Sequence, residues 1–357
     1  MLNTERALFN NLIGFIFLAS IAAGAVFYLA LEYAVGAVWS TPFRRVTEFL
    51  GYLFPFVIIF SIPVLLNMHT LFHWSHSDAV AADKLLQVKA PYLNTEFFYI
   101  RNAVIVAVWI IFFYAMSRNS LIQDLTKDQR ITKTNIKLGV AFIPIFAISI
   151  SLFGIDWLMS LEPHWFSTIF GVYFFSGTVL GSLAVITYFV VDFAEKGLFF
   201  KGIRKDHYYT FGALLFGFIS FWAYIAFSQF MLIWYANLPE ENFWFIERWE
   251  NGWKIVSIAM TLVHFWIPYF MLVARPSKMS PKNLKLSAVI IVLAHFLDLY
   301  WIVMPMYNSS PVFGFYEAAF PILSIGIILL VISRRARKYN LVPIGDPKLQ
   351  RGIDFRL

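Results

Sequence analysis

Two acids and a histidine stand close together in Asp156-Trp157-Leu158-Met159-Ser160-Leu161-Glu162-Pro163-His164-Trp165-Phe166, a stretch set between two long apolar runs. A charge inside a hydrocarbon slab costs at least ~2.5–3.5 kcal/mol even on the mildest insertion scale, so an ionisable residue there is a functional-site hypothesis in itself. Few such residues exist in this chain. Asp156 and Asp298 are acids in the outer halves of apolar runs, His264 and His295 lie near the middle of consecutive runs, and His164 caps the short turn after Asp156. A carboxyl whose proton affinity is raised by burial can accept a proton and pass it on, which makes Asp156 and Asp298 candidate proton-transfer groups. Trp157 beside one, and Tyr300 and Trp301 beside the other, could line a pocket for a flat ring. The competing reading is a carboxylate that fastens helices through bonds to Trp, Tyr or Ser.

His264 and His295 share a depth on neighbouring runs, the placement that two axial ligands of a b-type haem require. Bulky neighbours, Phe265, Trp266 and Phe296, leave no evident small-residue face for a porphyrin. A relay or ligand-contact role and plain structural hydrogen bonding stand beside the haem reading. His69, His73 and His76 have helical spacing that puts His69 and His73 on one face, but no acid or cysteine completes a metal set, so no metal site is expected. Ser228 and Gln229 are polar enough to join a pocket beneath the acidic connection Asn237–Glu250, which is itself a candidate face for a basic partner.

The elements that must position these residues are membrane helices. The 357 residues are 60% hydrophobic and 14% charged, with 40 Phe, whereas soluble proteins carry about 25% charged residues. Apolar runs near the ~20 residues needed to cross a bilayer as a helix recur at about 12–37, 46–71, 100–117, 138–160, 167–192, 208–235, 253–274, 285–305 and 315–333. They do not alternate polar and apolar residues as barrel strands would. The expected fold is therefore all-α, a polytopic transmembrane helical bundle of nine spans in a single membrane domain over 1–357. The longest pieces outside the spans are 72–99, 118–137 and the tail 334–357.

Charge sets the orientation. Of the 28 Lys and Arg, 22 fall on one set of alternate ends together with the tail, and the positive-inside rule makes that side cytoplasmic. The C-terminus is then inside and the Asp156–Phe166 turn outside. Nine spans would start the N-terminus outside, which leads us to expect one more span ahead of residue 1. The net charge of +7 sits in loop caps with no separate basic domain, which points to anionic lipid and away from nucleic acid. With no cysteine, the chain cannot hold a Cys-ligated iron–sulfur cluster, a covalently attached c-type haem or a disulfide. Any such redox centre would belong to a partner.

The strings Asp156–Tyr173, Phe227-Ser228-Gln229-Phe230-Met231-Leu232-Ile233-Trp234-Tyr235-Ala236-Asn237-Leu238-Pro239-Glu240, His264-Phe265-Trp266-Ile267-Pro268 and Leu297-Asp298-Leu299-Tyr300-Trp301 resemble the smaller, ActF-type NrfD-like membrane subunit of bacterial alternative complex III. The likeness runs from about residue 10 to 335. It implies a bacterial inner-membrane quinol:cytochrome c (or other periplasmic acceptor) oxidoreductase and four-helix bundles akin to polysulfide-reductase membrane subunits. It also implies partners: a multihaem cytochrome and an iron–sulfur protein that carry the haems and clusters, and a larger NrfD-like subunit. Members usually have about ten spans. This subunit would have no redox centre of its own and would contribute to quinol binding, proton transfer or both. Asp156 and Asp298 would move protons, while His164, His264, His295, Ser228 and Gln229 would contact quinol or extend the relay. Three other readings compete, one of them a purely structural scaffold. A proton-coupled transporter could use breaks at Pro55, Pro63, Pro144, Pro268 or Pro305, and a b-type cytochrome subunit could use the two midplane histidines.

Overall fold

A computed structural model describes residues 3–200 and 202–357. Among them are nine helices long and apolar enough to cross a membrane, and no strand. We number them α1 (Thr4–Val35), α2 (Thr41–Leu66), α3 (Thr95–Thr126), α4 (Gln129–Leu161), α5 (Phe170–Glu195), α6 (Lys205–Ala236), α7 (Trp253–Leu272), α8 (Pro281–Met306) and α9 (Phe315–Lys338). The protein is an all-α, multi-pass membrane bundle.

Burial separates centre from rim. In their most apolar windows, 94% of α1 and 89% of α5 is buried, against 28% for α9 and 44% for α2. A helix that is apolar all round belongs in the interior, and these two carry the axis of the molecule. Around α1 pack α2, α3 and α4, while α5 packs against α6 and α8, which carry α7 on their far side, two sets of four that meet along α1 and α5. α9 lies against α1 and α2. The central pair approaches closely because Gly24 has no side chain: a Cβ there would lie 2.8 Å from the Thr178 carbonyl oxygen and 2.1 Å from Ser182 Oγ. Small residues at such crossings are how membrane helices gain contact without a hydrophobic drive.

Helix ends depart from the apolar windows in an instructive way. Residues 118–137 are not a loop. α3 continues to Thr126, Lys127 turns the chain with φ +55°, and Asp128 caps α4 by accepting from the Arg130 amide at 2.8 Å. Polar residues can prolong a helix beyond the hydrocarbon, so hydropathy marks the span and not the helix.

The second span also ends early. Pro63 lies inside it, Asn67 leaves helical geometry at φ −124° and donates to the Pro63 carbonyl at 2.8 Å, and only short turns follow, Met68–Leu71 and His73–Ser75. The shared helical face expected for His69 and His73 is therefore absent. His69 instead stacks loosely on His76, with ring centroids 5.0 Å apart, and no group of three metal-ligating side chains forms among the described residues.

The tail after α9 is stitched to one end of the bundle. Asp346 pairs with buried Arg44 at 2.5 Å, the Gly345 amide donates to Asp124 at 3.1 Å, and the Gly352 carbonyl accepts from His207 at 2.9 Å. Those partners begin α2, end α3 and begin α6, which puts all three helix ends on one side, as nine alternating crossings require.

Candidate functional site

The candidate residues do not form one cluster. The structure places Asp156, Asp298 and His164 apart, each with hydrogen-bond partners of its own.

Asp156 closes an ion pair. Fully buried near the end of α4, it receives both arms of Arg101 from α3, at 2.7 and 2.8 Å. Asn102 and Tyr92 each donate to it at 3.0 Å. Arg101 is itself covered by Tyr92 and Phe97, and Trp157 donates to Asn102 at 2.6 Å. Every lone pair of the carboxylate facing the core has a donor. The bidentate guanidinium–carboxylate pairing fastens α3 to α4.

Asp298 has a different environment. It is buried on α8, accepts from the Tyr173 hydroxyl of α5, and has no Lys or Arg in salt-bridge range among the described residues. One turn away, His295 lies against α5 where Gly181 would bring a Cβ to 3.0 Å from its ring. His295 Nε2 meets Ser20 Oγ of α1 at 2.8 Å, while Nδ1 has no partner. His264 on α7 faces His295 with ring centroids 6.5 Å apart, lies against Trp222 of α6 at 3.9 Å with the planes tilted by 41°, and has neither ring nitrogen bonded among the described residues. A π-helical turn over Leu262–Trp266, just before Pro268, turns His264 into the core. Such turns are rare and gather at functional sites. Buried polar atoms without partners are uncommon in native proteins, and here several fall around one acid.

A porphyrin does not fit the histidine pair. His295 Nε2 is engaged by Ser20, one face of His264 is covered by Trp222, and the large cavity of the molecule includes neither ring in its wall.

That cavity, about 1180 Å³, lies between α6 and α7. The two helices touch through Leu262–Leu272 and part toward the Asn237–Gly252 connection. Short helix Pro239–Glu247 closes one side through Asn242, Phe245 and Ile246, and Tyr173, Trp222, Gln229, Arg248, Ser257 and Trp301 also contribute to the wall. Gln229 thus reaches the crevice as expected, whereas Ser228 is half-buried and outside the wall. Tyr173 belongs both to the wall and to the Asp298 hydrogen bond, so one side chain joins the buried acid to the crevice.

Arg248 is buried with no carboxylate in salt-bridge range among the described residues. It donates to the carbonyls of Trp244, Trp301 and Ile302 at 2.8–3.1 Å and lies 3.4 Å over the Trp244 ring. Burial brings its pKa down to about 9. It caps the end of α8, a favourable position for a cation on the helix dipole.

His164 is at the molecular surface and shares no hydrogen bond with either buried group. Nε2 meets Asp83 at 2.6 Å and Nδ1 meets Glu162 at 3.2 Å.

Sequence reasoning missed Arg101, Tyr173, Trp222 and Ser20. Arg101 carried a signal, a lone cation opening an apolar run beside a lone acid on the next. The other three are indistinguishable by type in a chain with 17 Tyr and 12 Trp. No known family model matches this chain, and no curated protein is significantly similar to it.

Proposed function

We propose that this protein is the smaller NrfD-like membrane subunit of a quinol-oxidising complex of the alternative complex III type in a bacterial inner membrane, and that its part is proton transfer through Asp298. One observation carries the reading: a fully buried carboxyl held by a tyrosine hydroxyl, with no counter-charge in salt-bridge range among the described residues. Such a group is costly to keep charged, which suits it to exchange a proton. Tyr173 is positioned to hand that proton toward the crevice, and His295 with Ser20 extends the polar line toward α1. The motif strings quoted above and the absence of cysteine support the assignment of haems and iron–sulfur clusters to partner subunits. The excess of Lys and Arg on the tail side supports a cytoplasmic C-terminus.

Asp298→Asn keeps shape and removes the titratable proton. Quinol-dependent turnover in membranes should fall by an order of magnitude or more, the usual scale of a lost proton-transfer group (~10²–10⁴-fold), while the subunit still assembles. Unchanged turnover ends the proton role. Co-purification decides the wider reading: a multihaem cytochrome and an iron–sulfur protein should accompany the chain, whereas a proton-coupled transporter would come out without them. A Soret band in the isolated chain would restore the b-type cytochrome.

The crevice favours a second reading, quinol docking. It is largely aromatic, and its wall includes the tyrosine that touches Asp298. A photoreactive quinone analogue that labels α6 or α7 near Trp222 would support it, and label confined to partner subunits would oppose it.

A further inference from the structure

The molecular surface holds a contact that neither the proton route nor the crevice explains. His164 presents both ring nitrogens to carboxylate oxygens, Nε2 to Asp83 and Nδ1 to Glu162. An ionised carboxylate only accepts hydrogen bonds, and a neutral imidazole has one N–H. Both contacts are satisfied together only by the imidazolium. Asp83 is committed as an acceptor by a second role, since its other oxygen caps the helix Lys84–Lys89 through the Leu85 and Leu86 amides at 2.8 and 3.4 Å.

The two partners belong to separate segments. Asp83 lies in the segment 77–90, and Glu162 and His164 lie in the turn between α4 and α5. Lys89 adds a neighbouring link, donating to the Pro163 carbonyl at 2.5 Å. The same turn continues to Trp165, whose indole donates to the Glu241 carbonyl at 3.0 Å and stacks on Trp244 at 4.4 Å. Both belong to the helix that closes one side of the crevice. The segment, the turn and this crevice-side helix therefore form one chain of contacts with His164 as its surface link.

We propose that His164 is a pH-sensitive clasp, tying segment 77–90 to the turn that supports the crevice-side helix when protonated and releasing it when neutral. The charged groups around it are Asp83 and Lys89 from the segment and Glu162 from the turn, with Glu247 of the crevice-side helix close enough to feel Glu162. The sum favours the cation: the Asp83 bond raises the His164 pKa above its ordinary 6.5, and burial opposes it only in part. A raised value means that the stabilisation is complete below the ordinary value and is lost as pH rises through the higher one. The clasp is thus closed on the acid side.

Hydrogen exchange of the full chain, extracted with any partners it retains, tests this. After correction for intrinsic rates, amides of 77–90 should be about two- to fivefold better protected at pH 6 than at pH 8.5, the range an exposed ion pair can supply. His164→Gln and Asp83→Asn should each remove the pH dependence and leave the segment at its high-pH level. Protection of α1 and α5 in the same spectra reports that the variants are folded. Wild-type protection that ignores pH, or pH dependence that survives in His164→Gln, would overturn the clasp.

Discussion

At the scale of single residues, the two intramembrane acids have opposite characters, and the difference lies in one cation. Asp156 faces Arg101, whereas Asp298 faces a tyrosine. Removing one partner of a buried pair leaves the other charge uncompensated and typically costs about 3–5 kcal/mol. Asp156→Asn should accordingly reduce the thermal midpoint and yield of the extracted chain, with any fall in turnover following the loss of assembled protein. The double variant Arg101→Met with Asp156→Leu should recover much of that stability, because it leaves no buried charge. Asp298→Asn is expected to show the reverse pattern, with assembly kept and turnover lost. Thermal melts of the three proteins side by side separate the roles. Residue type revealed where an ionisable group lay, but not whether a counter-ion met it, since a pairing across helices has no signature in the linear sequence.

Elements were more legible than sites. All nine spans follow from runs of apolar residues, a signal that the bilayer itself enforces. Their polar extensions and irregularities do not follow. The run 118–137 reads as a loop by hydropathy yet is helix on both sides of Lys127, and the π-helical turn that turns His264 inward leaves no mark in composition. Glycines show the same limit. Gly24 sits where α1 meets α5, and Gly217 of α6 faces open space. Gly24→Ala should therefore destabilise the bundle by about 1–3 kcal/mol through overpacking. Gly217→Ala should be neutral or stabilise by up to ~1 kcal/mol, as helix propensity alone dictates. Melting the two variants under identical extraction conditions checks both signs, and equal effects would contradict the close α1–α5 approach.

At the scale of the molecule, the tail changes how the two four-helix sets are held together. In the fold it crosses one end of the bundle and touches both sets, through Arg44 and Asp124 on one and His207 on the other. Its glycines make that course feasible: a Cβ at Gly345 would lie 1.9 Å from the Gln123 carbonyl oxygen, and one at Gly352 would lie 2.6 Å from that of Val38. Arg44 joins two acids, Glu32 at 2.6 Å and Asp346 at 2.5 Å. This triad predicts an order of sensitivity. Asp346→Ala leaves Arg44 paired with Glu32, so its cost should resemble that of a charged hydrogen bond, about 1.5–3 kcal/mol. Arg44→Leu strands both buried acids and should cost more, about 3–5 kcal/mol. Ending the chain at Tyr339 removes the bridge while retaining the Arg44–Glu32 pair, so the truncated protein should insert and melt near Asp346→Ala, with faster proteolysis at the ends of α3 and α6. If the truncated chain instead matched the intact one in both melting and proteolysis, the two sets would be held by α1 and α5 alone and the tail would be energetically idle.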